Sequence, residues 1–129
     1  MFKYGLYLCC LVSLILICAC GKREMTEEEK KQLASLYSEM YREKDPEKLD
    51  RMADRMLDAL TESKSENDLE FLRAHAYTAK AFAADLRKEK KQAVKFLNSA
   101  NSILPSLKGS QYHIKAASEL AILHLMRLG

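Results

Sequence analysis

The chain has no tryptophan, two prolines and four glycines in 129 residues, and its four cysteines all fall at or before position 20. Each scarcity excludes something. Without Trp there is no indole platform on which a sugar could stack. Beyond the N-terminal region the only glycines are Gly109 and Gly129. That leaves no glycine-rich phosphate cradle and no GxSxG nucleophile turn. HExxH and CxxC patterns are missing too, and past Cys20 no thiol remains to form a disulfide or ligate a metal.

The histidines do not fill the gap. His113 and His124 lie eleven residues apart, about 16 Å along a helix, so they cannot share one ion. His75 stands alone and reads as a structural histidine. Asp and Glu are plentiful but fall beside Lys or Arg on polar helix faces, whereas paired carboxylates for glycosidic chemistry need a cleft. The expectation is therefore no catalytic residue, no metal, no small-molecule substrate and no enzyme activity.

Charge is abundant but balanced, with 21 basic and 18 acidic residues, formally +3. The signs are interleaved, whereas a nucleic-acid site gathers basic residues on one face. The densest run, Arg87-Lys88-Glu89-Lys90-Lys91, reads as a solvated turn between helices. No nucleic-acid partner is expected.

What is present begins with the N-terminus. Lys3 precedes an apolar stretch from Leu6 to Ala19, broken only by Ser13. It is short for a membrane-spanning helix, which needs about 20 apolar residues, and it fits the core of a secretory signal. The stretch ends in Ile17-Cys18-Ala19-Cys20, which resembles the lipobox of bacterial lipoproteins, with Cys18 in place of the usual Ala, Ser or Gly. That resemblance implies removal of residues 1–19, a diacylglyceryl group on the Cys20 thiol and attachment to a membrane through that lipid, with no other cofactor. It also implies a place in the bacterial cell envelope. Lys22 and Arg23 do not resemble the acidic run that marks some lipoproteins for the cell surface, so a periplasm-facing position is expected. Residues 20–26 read as a lipid-anchored tether and residues 27–129 as the folded domain.

From there the pattern is helical throughout. Low Gly and Pro with plentiful Ala, Leu, Lys, Glu and Met favour helix. Thr26-Glu27-Glu28-Glu29 matches a capping box. Leu33, Leu36, Tyr37, Met40 and Tyr41 then mark one apolar face, as far as about Lys44. Asp45-Pro46 opens a second helix, carried by Leu49, Met52, Ala53, Met56, Leu57 and Leu60. Ser65 is the expected cap of a third helix through Leu69, Leu72, Ala76, Ala79, Ala83 and Leu86. Its many alanines leave it narrow enough for close neighbours. A fourth helix covers about Lys90 to Leu104 and ends at Pro105, and Ser110 is the expected cap of a fifth. Met40, Met52 and Met56 sit at core spacing. The predicted fold is all-α, about five antiparallel helices in short-turn hairpins.

Ala93, Leu97, Ala100 and Pro105 follow the spacing of the second helix of a tetratricopeptide repeat, and Tyr77 and Ala81 stand near that family's first-helix signature. Tyr77, Lys80 and Ala81 recur 35 residues on as Tyr112, Lys115 and Ala116. The domain thus resembles a degenerate tetratricopeptide array, with Lys80 in the place of a leucine and Ala84 in that of an aromatic. A simple helical bundle is the alternative. The resemblance implies a right-handed solenoid fragment that binds a protein or peptide on the wall formed by the first helices of its hairpins. Tyr37, Tyr41, Tyr77 and Tyr112 are the candidate contact residues there, although tyrosines at these spacings also simply pack.

The last stretch, Leu120 to Leu128, is apolar nearly all round, which predicts burial on every side. Self-association through that stretch, a partner, or further repeats of a longer protein would cover it. Two functions follow as expectations: a membrane-anchored adaptor, or the sensory input portion of a longer exported signalling receptor.

Overall fold

The computed structural model describes residues 22–123, without the side chains of 114 and 120–123. Cys20 lies outside the described residues, as do the side chains of the apolar run Leu120 to Leu128. Among the described residues the fold is all-helical: α1 (Glu27–Arg42), α2 (Pro46–Leu60), α3 (Asn67–Leu86), α4 (Lys90–Ile103), a 3-10 turn (Leu104–Leu107) and α5 (Gln111–Leu123).

The helix starts follow local chemistry. The Thr26 hydroxyl accepts from the Glu29 amide at 3.2 Å and Asp45 accepts from the Lys48 amide at 3.3 Å. Each satisfies an amide that the first helical turn leaves without a partner. Pro46 opens α2 where its missing N–H has no consequence. Ser65, the expected cap of α3, sits one residue too early. Glu66 is the residue before the helix, and its side chain makes no capping bond. The cause lies in the N-terminal segment. The Arg23 amide donates to the Glu62 carbonyl at 2.9 Å, and the Lys64 amide donates to Arg23 at 3.1 Å. That parallel bridge between Arg23 and Ser63 keeps the α2–α3 connection extended past Lys64.

At the end of α3 the Glu89 amide bonds the Ala84 carbonyl and the Lys88 amide bonds Asp85. This is a Schellman motif with Lys88, at φ +62°, in the left-handed position usually held by glycine. The run from Arg87 to Lys91 is thus a turn into α4, with Lys88 to Lys91 exposed. Arg87 is half-buried, because it pairs with Glu47 and Glu89. Pro105 does not stop the chain in an open turn. It sits in the 3-10 turn, which drives Leu107 into the core with no exposed surface. The Ser110 hydroxyl, before α5, donates back to the Leu107 carbonyl at 2.8 Å.

Helix α3 is the axis around which the rest is arranged. Ala74, Ala76, Ala79, Ala81, Ala83 and Ala84 are all buried, so small residues let helices approach from several sides. On one side Leu33, Leu36 and Met40 of α1 meet Leu49, Ala53, Met56 and Leu60 of α2 against Leu69, Ala76 and Ala83. On another, Tyr77 and Ala81 pack with Leu97 and Ala100 of α4. On the third, Phe71 and Ala74 pack with Leu107 and Ala116. Met40 and Met56 are core residues, and Met52 packs at the edge of the same cluster, as their spacing predicted.

Lys80 is the departure that the fold explains. Only 9% exposed, its ammonium lies 2.6 Å from Asp54 and 3.0 Å from Asp50, one turn apart on α2. It also sits 5.1 Å above the ring of Phe96 on α4. Burial alone would pull the ammonium down, but Asp54 and Asp50 outweigh it and hold it above its ordinary value. One side chain therefore joins three helices.

Candidate functional site

Side chains four apart on a helix lie on one face, one turn above another. Tyr37 and Tyr41 make such a pair on α1, Phe71 and His75 on α3, and Tyr112 heads a column through Lys115 and Glu119 on α5. The three helices run in the same direction, since Lys30 near the start of α1 pairs with Glu66 before α3. Higher up, Tyr37 meets His75. Likewise Tyr112 meets Phe71 low on α3, and Glu119 meets His75 one turn higher. The columns therefore merge into a single wall.

At its centre is His75, 8% exposed. The Tyr37 ring meets it edge-on, with centroids 4.4 Å apart. Tyr41 lies nearly parallel to it at 6.4 Å. Phe71 stands 5.7 Å from Tyr37 and 5.5 Å from Tyr112. Such offset and edge-on arrangements place positive ring edges on negative faces. The Lys115 ammonium sits 5.0 Å from both the Tyr37 and Phe71 ring centres, within cation–π range.

Glu119 secures the far side. His75 Nδ1 is 3.0 Å from one of its carboxylate oxygens, and the Tyr37 hydroxyl donates to the other at 3.4 Å. A carboxylate accepts, so Nδ1 carries a proton and donates it to Glu119, and Nε2 is the ring's remaining polar atom. That atom is buried with no partner. Burial raises the Tyr37 hydroxyl above its ordinary value, while nearby Lys115 acts in the opposite direction. Contact with Tyr37 is in turn the main reason that Lys115 is held above the ordinary lysine value.

Three of the four tyrosines singled out from the sequence, Tyr37, Tyr41 and Tyr112, belong to this wall. Tyr77 does not. At about 100° per residue it lies about 200° around α3 from His75, and it packs towards α4 beside Ala81 and Leu97. Sequence reasoning passed over Phe71 and Glu119, read His75 as a structural histidine, and met Lys115 only as part of the 35-residue recurrence. A signal did exist: Phe71 and His75 repeat the i, i+4 spacing of Tyr37 and Tyr41. The 35-residue recurrence of Tyr77 at Tyr112 drew attention to another register.

Chemically the wall is an aromatic surface with little reactive reach. The Glu119–His75 pair resembles part of a proton relay, but Nε2 is closed to solvent and no hydroxyl bonds to it. What faces outward is the Tyr41 ring, 70% exposed, and the Lys115 ammonium. Elsewhere a half-open cleft of about 450 Å³ lies between the Arg23 segment, α1 and the end of α2. Met25 and Leu33 form apolar parts of its lining, beside Glu29, Arg55 and Glu62. Among the described residues no group of three or more His, Cys, Asp or Glu is placed to hold a metal. No helix there is long and apolar enough to cross a membrane. No family model, curated protein or solved structure matches the chain.

Proposed function

We propose that this chain is a lipid-anchored protein of the bacterial cell envelope, facing the periplasm, whose helical domain binds a protein or peptide and catalyses nothing. The anchor reading rests on Ile17-Cys18-Ala19-Cys20 at the end of the apolar stretch. Acyl chains at Cys20 would contribute roughly 0.8 kcal/mol per buried CH₂, enough in pairs for durable attachment. The binding reading rests on one observation above all. Tyr37, Tyr41 and Tyr112, far apart in sequence, converge around His75 while the Tyr41 ring stays 70% exposed. Tyrosine is enriched among the side chains that anchor protein interfaces, and Tyr41 is the one that the wall presents to solvent.

The tetratricopeptide reading draws support from the α3–α4 hairpin. Its signature residues Tyr77, Ala81, Leu97 and Ala100 form one cluster, and Ala93 is fully buried. α1, α3 and α5, the first helices of successive hairpins, share the wall on which that family binds peptides.

Two experiments test the proposal. Cys20→Ala should abolish incorporation of labelled palmitate and leave an unprocessed precursor; a mutant that still incorporates label sinks the anchor. Photo-cross-linking from position 41 in membranes, read by mass spectrometry, should capture a polypeptide. A probe at Lys44, one turn beyond the wall, should capture far less of it, and equal capture from both would remove the wall from the proposal.

A further inference from the structure

Resting on the reading of Cys20 as the lipid anchor, we propose that the domain stands on the bilayer by its α2–α3 end, with the upper part of the aromatic wall, from His75 to Tyr41, lifted clear of the lipid. The packed body reaches almost to the anchor. Arg23 is bonded through its backbone to Glu62 and Lys64, and its guanidinium grips Glu29 at 2.8 and 3.1 Å. Met25 already belongs to the core. Only Gly21 and Lys22 separate Cys20 from Arg23, three chain steps that span at most about 11 Å. The end of the domain that carries Arg23 and the 61–66 connection is therefore held against the headgroups.

Headgroup charge does not set this orientation. Arg23, Lys30 and Lys64 at this end are matched by Glu29, Glu66 and Glu24, so anionic lipid gains no strong hold. Among the described residues no apolar side is offered on which the domain could lie flat. The exposed large hydrophobics among the described residues are Tyr41 and Val94, one on α1 and the other on α4. Interfacial helices need a continuous apolar face to enter lipid. The orientation rests on the length of the tether.

Distance along the helices then fixes what can reach the wall. At about 1.5 Å per residue, His75 stands roughly 12 Å up α3 and Tyr41 roughly 21 Å up α1 from the membrane end. The 43–45 connection lies higher still. Phe71 and Tyr112 sit lower, so the partner of the Tyr41 side of the wall is a polypeptide in the aqueous space beside the membrane, and lipid is excluded from that side.

The test uses the acylated full chain in phosphatidylcholine vesicles containing a nickel-chelating lipid, with a fluorophore on Ser65→Cys or Lys44→Cys, both exposed positions. Nickel at the headgroups should quench the label at 65 several-fold more strongly than the label at 44. A flexible insert of about ten Gly and Ser residues between Lys22 and Arg23 lengthens the tether by roughly 16–19 Å and should erase most of that difference. Equal quenching at both sites, or a difference that survives the insert, overturns the orientation while leaving the anchor intact. Failure of the unmodified chain to float with vesicles overturns the anchor and the orientation with it.

Discussion

Helix α3 buries two polar side chains five residues apart, and they are treated in opposite ways. Lys80 is matched on both flanks: two aspartates of α2 bracket its charge and the Phe96 ring of α4 lies beneath it. His75 is matched on one side only, through Nδ1 and Glu119, with its other nitrogen buried and unbonded. A buried charge tolerates no vacancy, because desolvation must be answered by partners. At His75 one buried ring nitrogen is left without a bond, at a cost of about 1–3 kcal/mol. Lys80 is accordingly a clamp between helices. His75 is the floor of a surface whose upper side, the Tyr41 ring, is still open to solvent.

The sharpest way to break the comparison is at Lys80. Lys80→Ala removes the aliphatic stem, the ring contact and the partner of two aspartates at once. Asp54 is about half exposed, so water answers part of the lost pairing, and the expected loss is about 2 kcal/mol. Lys80→Met keeps the stem and should fall within about 1 kcal/mol of the original, since an apolar isostere of a buried ion pair is often neutral. Urea melts of both variants check this. Linkage supplies a second readout. The folded-state value of Lys80 is raised above 10.5, so its stabilisation is complete below that pH. It is lost as pH climbs through the raised folded value. Tyr37, raised from 10.0, has the same sign: the unfolded hydroxyl ionises first. Stability should fall in the alkaline range, and Lys80→Met should flatten part of the fall above pH 10.5, while Tyr37 and Lys115, both raised, keep their shares.

At His75 the smaller effect is expected. His75→Phe keeps a ring among Tyr37, Tyr41 and Phe71 and removes the idle nitrogen, but it leaves Glu119 with only the longer bond from Tyr37. The two changes oppose each other, and the net loss should be about 1 kcal/mol in the same urea series. A loss as large as that of Lys80→Ala would mean that His75 is a clamp of the same kind.

The contrast between these residues also marks what the sequence disclosed. Periodicity placed all five helices, and the starts at Thr26 and Asp45 were legible because a cap is a local interaction among neighbours. The start of α3 was not, since the bridge from Arg23 to the 62–64 segment joins residues about forty apart and left no local trace. Leu107 escaped for a similar reason: Pro105 reads as a stop, while its role in a 3-10 turn depends on the space beside Phe71 and Ala74. On the wall, three of the four tyrosines were found from their helix positions. His75 was found as a residue but not as a centre, because the pairing that makes it one lies on α5, 44 residues away. Lys80 looked like a fault in a repeat motif. Its logic sits in Asp50 and Asp54, which the same reading had placed on an ordinary polar face.

The smallest expected change in stability belongs to Tyr41, and it is the one that separates fold from function. Its ring is 70% exposed, so truncation removes little buried surface, and surface changes of this kind usually stay within about 0.5 kcal/mol. The wall nevertheless loses the aromatic face that caps His75. In a binding surface such an anchor carries about 2 kcal/mol or more, equivalent to a loss of roughly thirtyfold in affinity. Tyr41→Ala should therefore melt almost with the unmodified chain and lose most of a partner first captured by cross-linking at the wall. Tyr77→Phe is the control: it keeps the ring against α4 and should leave both melt and capture unchanged. If Tyr41→Ala captured that partner undiminished, the exposed tyrosine would be incidental, and the wall would be a second clamp, joining α1, α3 and α5 as Lys80 joins α2, α3 and α4.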